Sequence, residues 1–202
     1  NVDGDYIHKE TETSFPIEID DYSRISVYAF DNKQTDVGVT YENISNNRKT
    51  TLSIYLYPAG FGSEDRLREE YLKCMQSIAN VAKSGIQSQQ HSVSYSNSGY
   101  RIIGYKAWMK DLPDKSSLLI FECGHWFFET RITTSYLDST QTERLEKRIL
   151  DLFVPTKLVQ KSPLNSKADI YFSKAAFRDS LMLGCVMGSA FEKMNWAIAN
   201  VD

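Results

Sequence analysis

The sequence predicts an α+β fold: an antiparallel β-sheet with helices on both faces, plus a C-terminal helical segment. Three observations carry that expectation. Four strand candidates with short links crowd the first sixty residues, as in an antiparallel meander. Two stretches, Glu64–Lys83 and the residues after Asp138, place apolar side chains at helical spacing. Between them Ser116–Tyr136 reads as two strands folded back over Cys123-Gly124-His125.

Asn1–Ser14 is polar, with Asp3, Asp5, Glu10 and Glu12, and is expected to be a flexible arm. Order is expected from Phe15-Pro16 onward. Ile17–Asp20 is a short strand candidate, and Arg24–Phe30 a richer one in β-branched and aromatic residues. Thr35–Glu42 alternates, with Val37, Val39 and Tyr41 on one face. Thr51–Tyr57 alternates most cleanly: Leu52, Ile54 and Leu56 face one way, Ser53, Tyr55 and Tyr57 the other. Pro58-Ala59-Gly60 stops it.

Ser63 is a candidate N-cap for the first helix, with Glu64 and Asp65 suiting its positive end. Its apolar stripe is Leu67, Tyr71, Cys74, Met75, Ile78 and Ala82, and Gly85 ends it. The Ser/Gln-rich stretch 84–99 holds an edge-strand candidate at His91–Ser96. Tyr100–Lys110 follows as a strand, where Gly104 predicts a bulge or a close backbone contact.

The hairpin closes with a two-residue loop at Cys123-Gly124 or at Gly124-His125, and both registers give the same sidedness. Leu119, Phe121, Trp126 and Phe128 share one face; Ile120, Phe127, Glu129 and Arg131 share the other. A sheet apolar on both faces needs a helix on each. Asp138 or Ser139 caps the second helix, whose stripe is Leu145, Ile149, Leu152 and Phe153, and Pro155 marks its end. The expected organisation is an arm (1–14), an αβα domain (15–154), a linker (155–167) and a C-terminal helix (168–202).

Composition excludes some functions. A net charge of −3 and a pI near 5.7 argue against nucleic-acid binding, which calls for a basic face. No segment reaches the roughly 20 apolar residues needed to cross a bilayer. The first residue is Asn1, consistent with removal of an export signal or with trimming. Cys74, Cys123 and Cys185 are odd in number and widely spaced, which gives no disulfide framework and leaves three free thiols as the plainer reading.

The element order resembles the PsbP-like fold: a meander carrying TTLSIYLYP, a long helix, a second strand set ending in CGHWFFETRIT, and a closing helix. That αβα domain is shared by the photosystem extrinsic protein PsbP, a nuclear-import factor that binds the Ran GTPase, and bacterial envelope lipoproteins. The resemblance covers roughly residues 15–154 and implies a binding protein rather than an enzyme; a periplasmic, envelope or secreted setting is slightly favoured over a cytoplasmic one. It carries over no functional residue and leaves 168–202 outside the pattern.

Candidate chemistry centres on the hairpin. Cys123 and His125 flank the tip, and a thiol near an imidazole is the material of a nucleophile and its base. The plainer reading is a tight turn with exposed polar flanks. Glu122 and Glu129 share a face at an offset of two or four residues, about 7 or 13 Å. The nearer spacing suits paired carboxylates in a glycosidase-type cleft, whereas Glu129 beside Arg131 suits a cross-strand ion pair. Glu18, Asp20 and Asp21 lack a calcium-loop pattern, and Gly60-Phe61-Gly62 lacks the Lys-Ser/Thr of a phosphate loop. No cofactor or metal is expected.

The terminal segment carries Ser180, Gly184 and Gly188 at four-residue intervals, a ridge that admits a close helix neighbour. A helix packed on its own domain explains it, and so does a partner surface at Gly184, Gly188 and Trp196. The leading expectation is a non-enzymatic binding module for a protein or small ligand; the alternative is a hydrolase using Cys123–His125 or the carboxylate pair.

Overall fold

The computed structural model describes residues 3–60, 65–82, 89–109 and 114–159. The expected helix 168–202, with Gly184, Gly188 and Trp196, lies outside them, as do the candidate cap Ser63 and the end of the Gly60-Phe61-Gly62 loop. The chain runs β1 (Tyr6–His8), β2 (Thr13–Phe15), β3 (Glu18–Ile19), β4 (Tyr22–Ala29), β5 (Val37–Ser45) and β6 (Arg48–Pro58), then α1 (Arg66–Ala82). A second set follows: β7 (Gln89–Asn97), β8 (Tyr100–Met109), β9 (Lys115–Cys123) and β10 (Trp126–Thr134), then α2 (Ser139–Phe153) and a 3₁₀ turn, Pro155–Val159.

β1 and β2 form a small hairpin. The other strands make one sheet in the order β3-β4-β5-β6-β10-β9-β8-β7, every neighbour antiparallel. Two meanders therefore meet where the last strand of each, β6 and β10, pair from Trp126↔Pro58 to Thr134↔Thr50. This is an α+β architecture dominated by antiparallel sheet.

The alternation of the strands decides what each face buries. Val37, Val39, Tyr41, Leu52, Ile54 and Leu56 join Leu119, Phe121, Trp126, Phe128 and Ile132 in one core, closed by Leu145, Ile149 and Phe153 of α2. Leu118, Ile120, Phe127, Ala107 and Met109 point the other way and pack with Leu67, Tyr71 and Cys74 of α1. Both faces of the central strands are thus apolar, and among the described residues α2 covers one and α1 the other.

α2 begins at Asp138, whose carboxylate accepts the Gln141 N–H at 2.8 Å while Gln141 Oε1 accepts the Asp138 N–H at 3.0 Å, a reciprocal capping box. The chain leaves α2 through Val154 in the left-handed region, ahead of Pro155. Pro155, Thr156 and Leu158 are then buried, with Leu158 in the α2-side core. The first residues of the expected 155–167 linker are therefore part of the packed body.

The expected arm at 1–14 is corrected more sharply. Tyr6↔Phe15, Ile7↔Ser14 and His8↔Thr13 pair across β1 and β2, and His8 and Thr11 are buried. The acidic residues that suggest an arm point outward or stay partly exposed; His8 and Phe15 point inward. The His8 ring meets Trp126 edge-on at 5.3 Å. Its Nδ1 lies 2.7 Å from Thr11 Oγ1 and accepts the Thr11 N–H at 3.3 Å, so the neutral ring carries its proton on Nε2. Burial holds the His8 pKa below its usual value, outweighing backbone hydrogen bonds and nearby acidic charge.

Gly104 resolves in favour of close contact over a bulge. The β8 register is unbroken on both sides, and a Cβ there would press on the Ile120 carbonyl oxygen and the Phe121 ring.

Two outcomes follow. Gly104→Ala should lower stability by about 1–3 kcal/mol, because the obstructing atom is backbone and cannot step aside; an unchanged denaturant midpoint would contradict the close packing. For His8 the unfolded chain binds the proton more tightly, so stability is full above about pH 6.5 and falls as the pH drops below it. Melting temperatures at pH 7.5 and 5.5 should differ more for the wild type than for His8→Gln.

Candidate functional site

A cluster of ionisable side chains lies beneath α1, on the face opposite Trp126. Glu129 points there from the middle of β10 and is 2% exposed. It accepts the Tyr57 hydroxyl at 2.9 Å from neighbouring β6, is 3.4 Å from Cys74 Sγ of α1, and forms an ion pair with Arg131. Tyr57 also reaches Glu70 of α1 at 3.4 Å. The Arg131 guanidinium lies over the Tyr55 ring, 5.2 Å from its centroid. Period-two alternation explains the gathering: Tyr55 and Tyr57 on β6, and Glu129 and Arg131 on β10, are each two residues apart on paired strands.

Electrostatics make the cluster a poor nucleophile site. Burial first, and the Glu129 charge second, push the Cys74 thiol up to about 12. The same two causes raise the Tyr57 phenol far above its ordinary value. For Arg131, burial works against the charge, but the adjoining Glu129 outweighs it and the net shift is upward. The result is a protonated thiol and phenol around a compensated carboxylate. Asp36, at the approach to β5, is also held above the usual carboxylate range by burial and then by Asp31, Glu70 and Glu129.

The residues singled out from the sequence separate into distinct places. The loop is Gly124-His125, since Cys123 pairs with Trp126, and Gly124 takes φ 68°. Cys123 is consequently the last residue of β9 and is wholly buried in the α2-side core. The expectation of an exposed tip is corrected at this residue; of the pair Cys123 and His125, His125 keeps partial exposure in the turn. Burial, and then the Glu122 charge, raise the Cys123 thiol well above its ordinary range, away from the thiolate a nucleophile needs. Cys74 and Cys123 are free thiols on opposite faces of the sheet.

Glu129 sits opposite Ile120 and Phe127 opposite Glu122, so the two glutamates share a face at the nearer offset, about 7 Å along the strands. Each is engaged by its own arginine. Arg66, at the start of α1, grips Glu122 through Nε at 2.8 Å and through Nη2. The same guanidinium donates to the Gly124 carbonyl at 2.8 Å and the Gly60 carbonyl at 3.2 Å, tying the helix to the hairpin tip. Asp20 receives Arg148 of α2 through a forked contact at 3.0–3.1 Å. Among the described residues no three His, Cys, Asp or Glu side chains converge as metal ligands, and no described helix is long and apolar enough to cross a membrane.

No family model, curated protein or solved structure matches this chain.

What sequence reading missed lies beside the cluster. α1 covers the β8–β9–β10 side of its face and Tyr57 at the end of β6, whereas β4, β5 and the Tyr55 part of β6 stay open among the described residues. Tyr28 and Phe30 stand there 62% and 54% exposed, their rings 4.8 Å apart, with Phe30 also 6.3 Å from Tyr55. Gly38 of β5 lies between Tyr28 and Tyr55 in the register, and a Cβ there would meet the Tyr55 and Phe30 rings. Arg24–Phe30 reads as a strand, but whether Tyr28 is covered depends on which half of the sheet α1 crosses, and that has no local signal.

The ion pair separates structural from chemical roles. Glu129→Ala should cost about 3 kcal/mol by stranding Arg131, toward the low end for a buried pair because Arg131 is a quarter exposed. Replacing both, Glu129→Leu with Arg131→Met, should recover most of that loss. Denaturant titration of the three chains decides it; equal losses would exclude a simple compensated pair.

Proposed function

We propose that this domain is a PsbP-like αβα binding module that engages a protein partner through the open part of its sheet, at Tyr28, Phe30, Tyr55 and Arg131. The observation that carries the reading is the exposed aromatic pair beside a guanidinium already stacked on a tyrosine. Exposed aromatics backed by rigid sheet, with an arginine at their margin, are the residue types that dominate binding energy at protein interfaces. The sheet holds Tyr28 and Tyr55, and the N–H of Phe30, just past β4, is tied to the Asp36 carbonyl at 2.8 Å, so little conformational entropy is lost on docking. The PsbP-like assignment is supported by one antiparallel sheet with α1 on one face and α2 on the other, in the element order that the resemblance requires.

The binding reading also accords with the state of the candidate catalytic groups. Cys123 is sealed in the core, and Glu122 and Glu129 are held by Arg66 and Arg131. A hydrolase built on these groups would have to break those pairs before it could act.

A photo-crosslinking residue placed at Tyr28, with one at exposed Lys147 on α2 as control, tests the proposal in extracts of the source organism. A protein captured from position 28 and not from 147 should be displaced by excess wild-type chain. Tyr28→Ala/Phe30→Ala should compete roughly thirtyfold less well, about 2 kcal/mol for a hot-spot loss, while its melting temperature barely moves. Capture from both positions alike, or undiminished competition by the double variant, would overturn it. Hydrolytic activity abolished by Glu129→Gln would move the function to the alternative.

A further inference from the structure

The two edges of the eight-stranded sheet are built in opposite ways. At one edge β3 is two residues long and carries Glu18, and its neighbour β4 has a register break between Arg24 and Ser26. Short edge strands, charges and bulges are the devices that keep an edge from pairing with another chain. At the other edge β7 has none of them. It runs nine residues, QQHSVSYSN, with no lysine, no acidic residue and no proline, and its register against β8 is unbroken from Gln89↔Trp108 to Asn97↔Tyr100. Among the described residues nothing pairs with its outer side.

The turn identifies which backbone groups face outward. Ser98 and Gly99 both have positive φ, 51° and 84°, as in a type I′ hairpin turn. The residues that close such a two-residue loop, Asn97 and Tyr100, exchange hydrogen bonds with each other. Counting back by twos, His91, Val93 and Tyr95 bond to β8, while Gln90, Ser92, Ser94 and Ser96 turn their N–H and C=O groups to the open side.

We propose that β7 pairs antiparallel with β7 of a second copy of this chain, joining two eight-stranded sheets edge to edge about a two-fold axis at Val93. This surface is separate from the aromatic face and does not depend on it. The strand is complementary to itself. With the axis at Val93, Gln90 lies opposite Ser96 of the second copy and Ser92 opposite Ser94, so all four outward-facing residues find partners. The ladder gains about eight N–H···O bonds, two for each of four pairs. On the α1 face only Ser and Gln side chains meet. On the α2 face Val93 meets its own copy and His91 meets Tyr95, a residue already pinned by its hydroxyl to the Leu150 carbonyl at 3.2 Å. No acidic or lysine side chain of the strand opposes a like charge. A free peptide would have to be ordered first, whereas a second β7 is already extended and fixed by β8.

Light scattering of the full chain after size exclusion, over a hundredfold concentration range, tests this. The expected mass is twice the 23.1 kDa chain. Ser94→Pro removes an outward donor and leaves every β7–β8 bond in place, so it should weaken dimerisation at least tenfold with the folded monomer retained. Ser94→Lys, which sets two cations near the axis, should do the same even if the proline variant fails to fold. Val93→Cys, in a Cys185→Ser background, should form an interchain disulfide on mild oxidation, because residues opposed at the axis bring their Cα atoms within about 5 Å. Tyr95→Cys should not crosslink. A monomer throughout the range, or a dimer that survives both Ser94 variants and gives no Val93 crosslink, would overturn the proposal.

Discussion

The ladder between β6 and β10 is the contact on which the rest of the molecule depends, because it is the seam between two meanders that are each consecutive in sequence. Every other strand pairing within the sheet joins sequence neighbours and can form locally. The seam instead brings Thr50 against Thr134 and Pro58 against Trp126, with the first helix and three strands between them. Thr50 and Thr134 mark its far end with a buried hydroxyl contact of 2.8 Å. Once it forms, two half-sheets become one, wide enough to need a helix on each face. It is also the longest loop closure among the strand pairings, so it carries the largest entropic cost of assembly.

The Glu129–Arg131–Tyr57 cluster sits on that seam and tells against its misalignment. Slipping β10 by one residue against β6 would turn Glu129 and Arg131 onto the face of Leu52, Ile54 and Leu56, away from the Tyr57 hydroxyl and the Tyr55 ring. A carboxylate and a guanidinium in an aliphatic core without those partners would cost several kcal/mol. In the native register the pair gains little net stability over a hydrophobic replacement, but every slipped register loses it. The cluster therefore contributes mainly to the choice of register.

Much of this was legible in the sequence, for a physical reason. Side-chain period two in Thr51–Tyr57 and in the hairpin determines sidedness whichever loop closes the turn, so Leu52, Ile54, Leu56, Trp126 and Phe128 share a core as expected. Helical spacing and the Asp138 cap likewise mark α2. Cys123 was not legible, because choosing Gly124-His125 over Cys123-Gly124 changes it from loop to strand end without changing any pattern. The β1–β2 hairpin escaped because three-residue strands show no periodicity, and because charges at 3, 5, 10 and 12 mask the inward residues His8, Thr11 and Phe15. The open aromatic face escaped because exposure of Tyr28 is settled by the path of α1, a tertiary choice.

Sheet geometry then limits which part of the α1 face stays open among the described residues. An eight-stranded antiparallel sheet is wider than one helix per face can hide, and α1 and α2 are each placed by the stripe they bury. α2 spends its face on the β6–β10–β9 centre and ties Asp20 and Lys106 at its flanks through Arg148 and Glu146. α1 is anchored to the hairpin tip by Arg66, which holds it over β8 and β9 and away from β4 and β5. The aromatic opening is thus a consequence of that arginine clamp as much as of Tyr28 and Phe30 themselves. A helix free to drift toward β4 would bury the aromatics and uncover Leu118 and Ile120, exchanging a polar-rimmed opening for an apolar one. Arg66, a residue outside the open face, thus helps to position it, together with the Leu67, Tyr71 and Cys74 stripe that α1 buries.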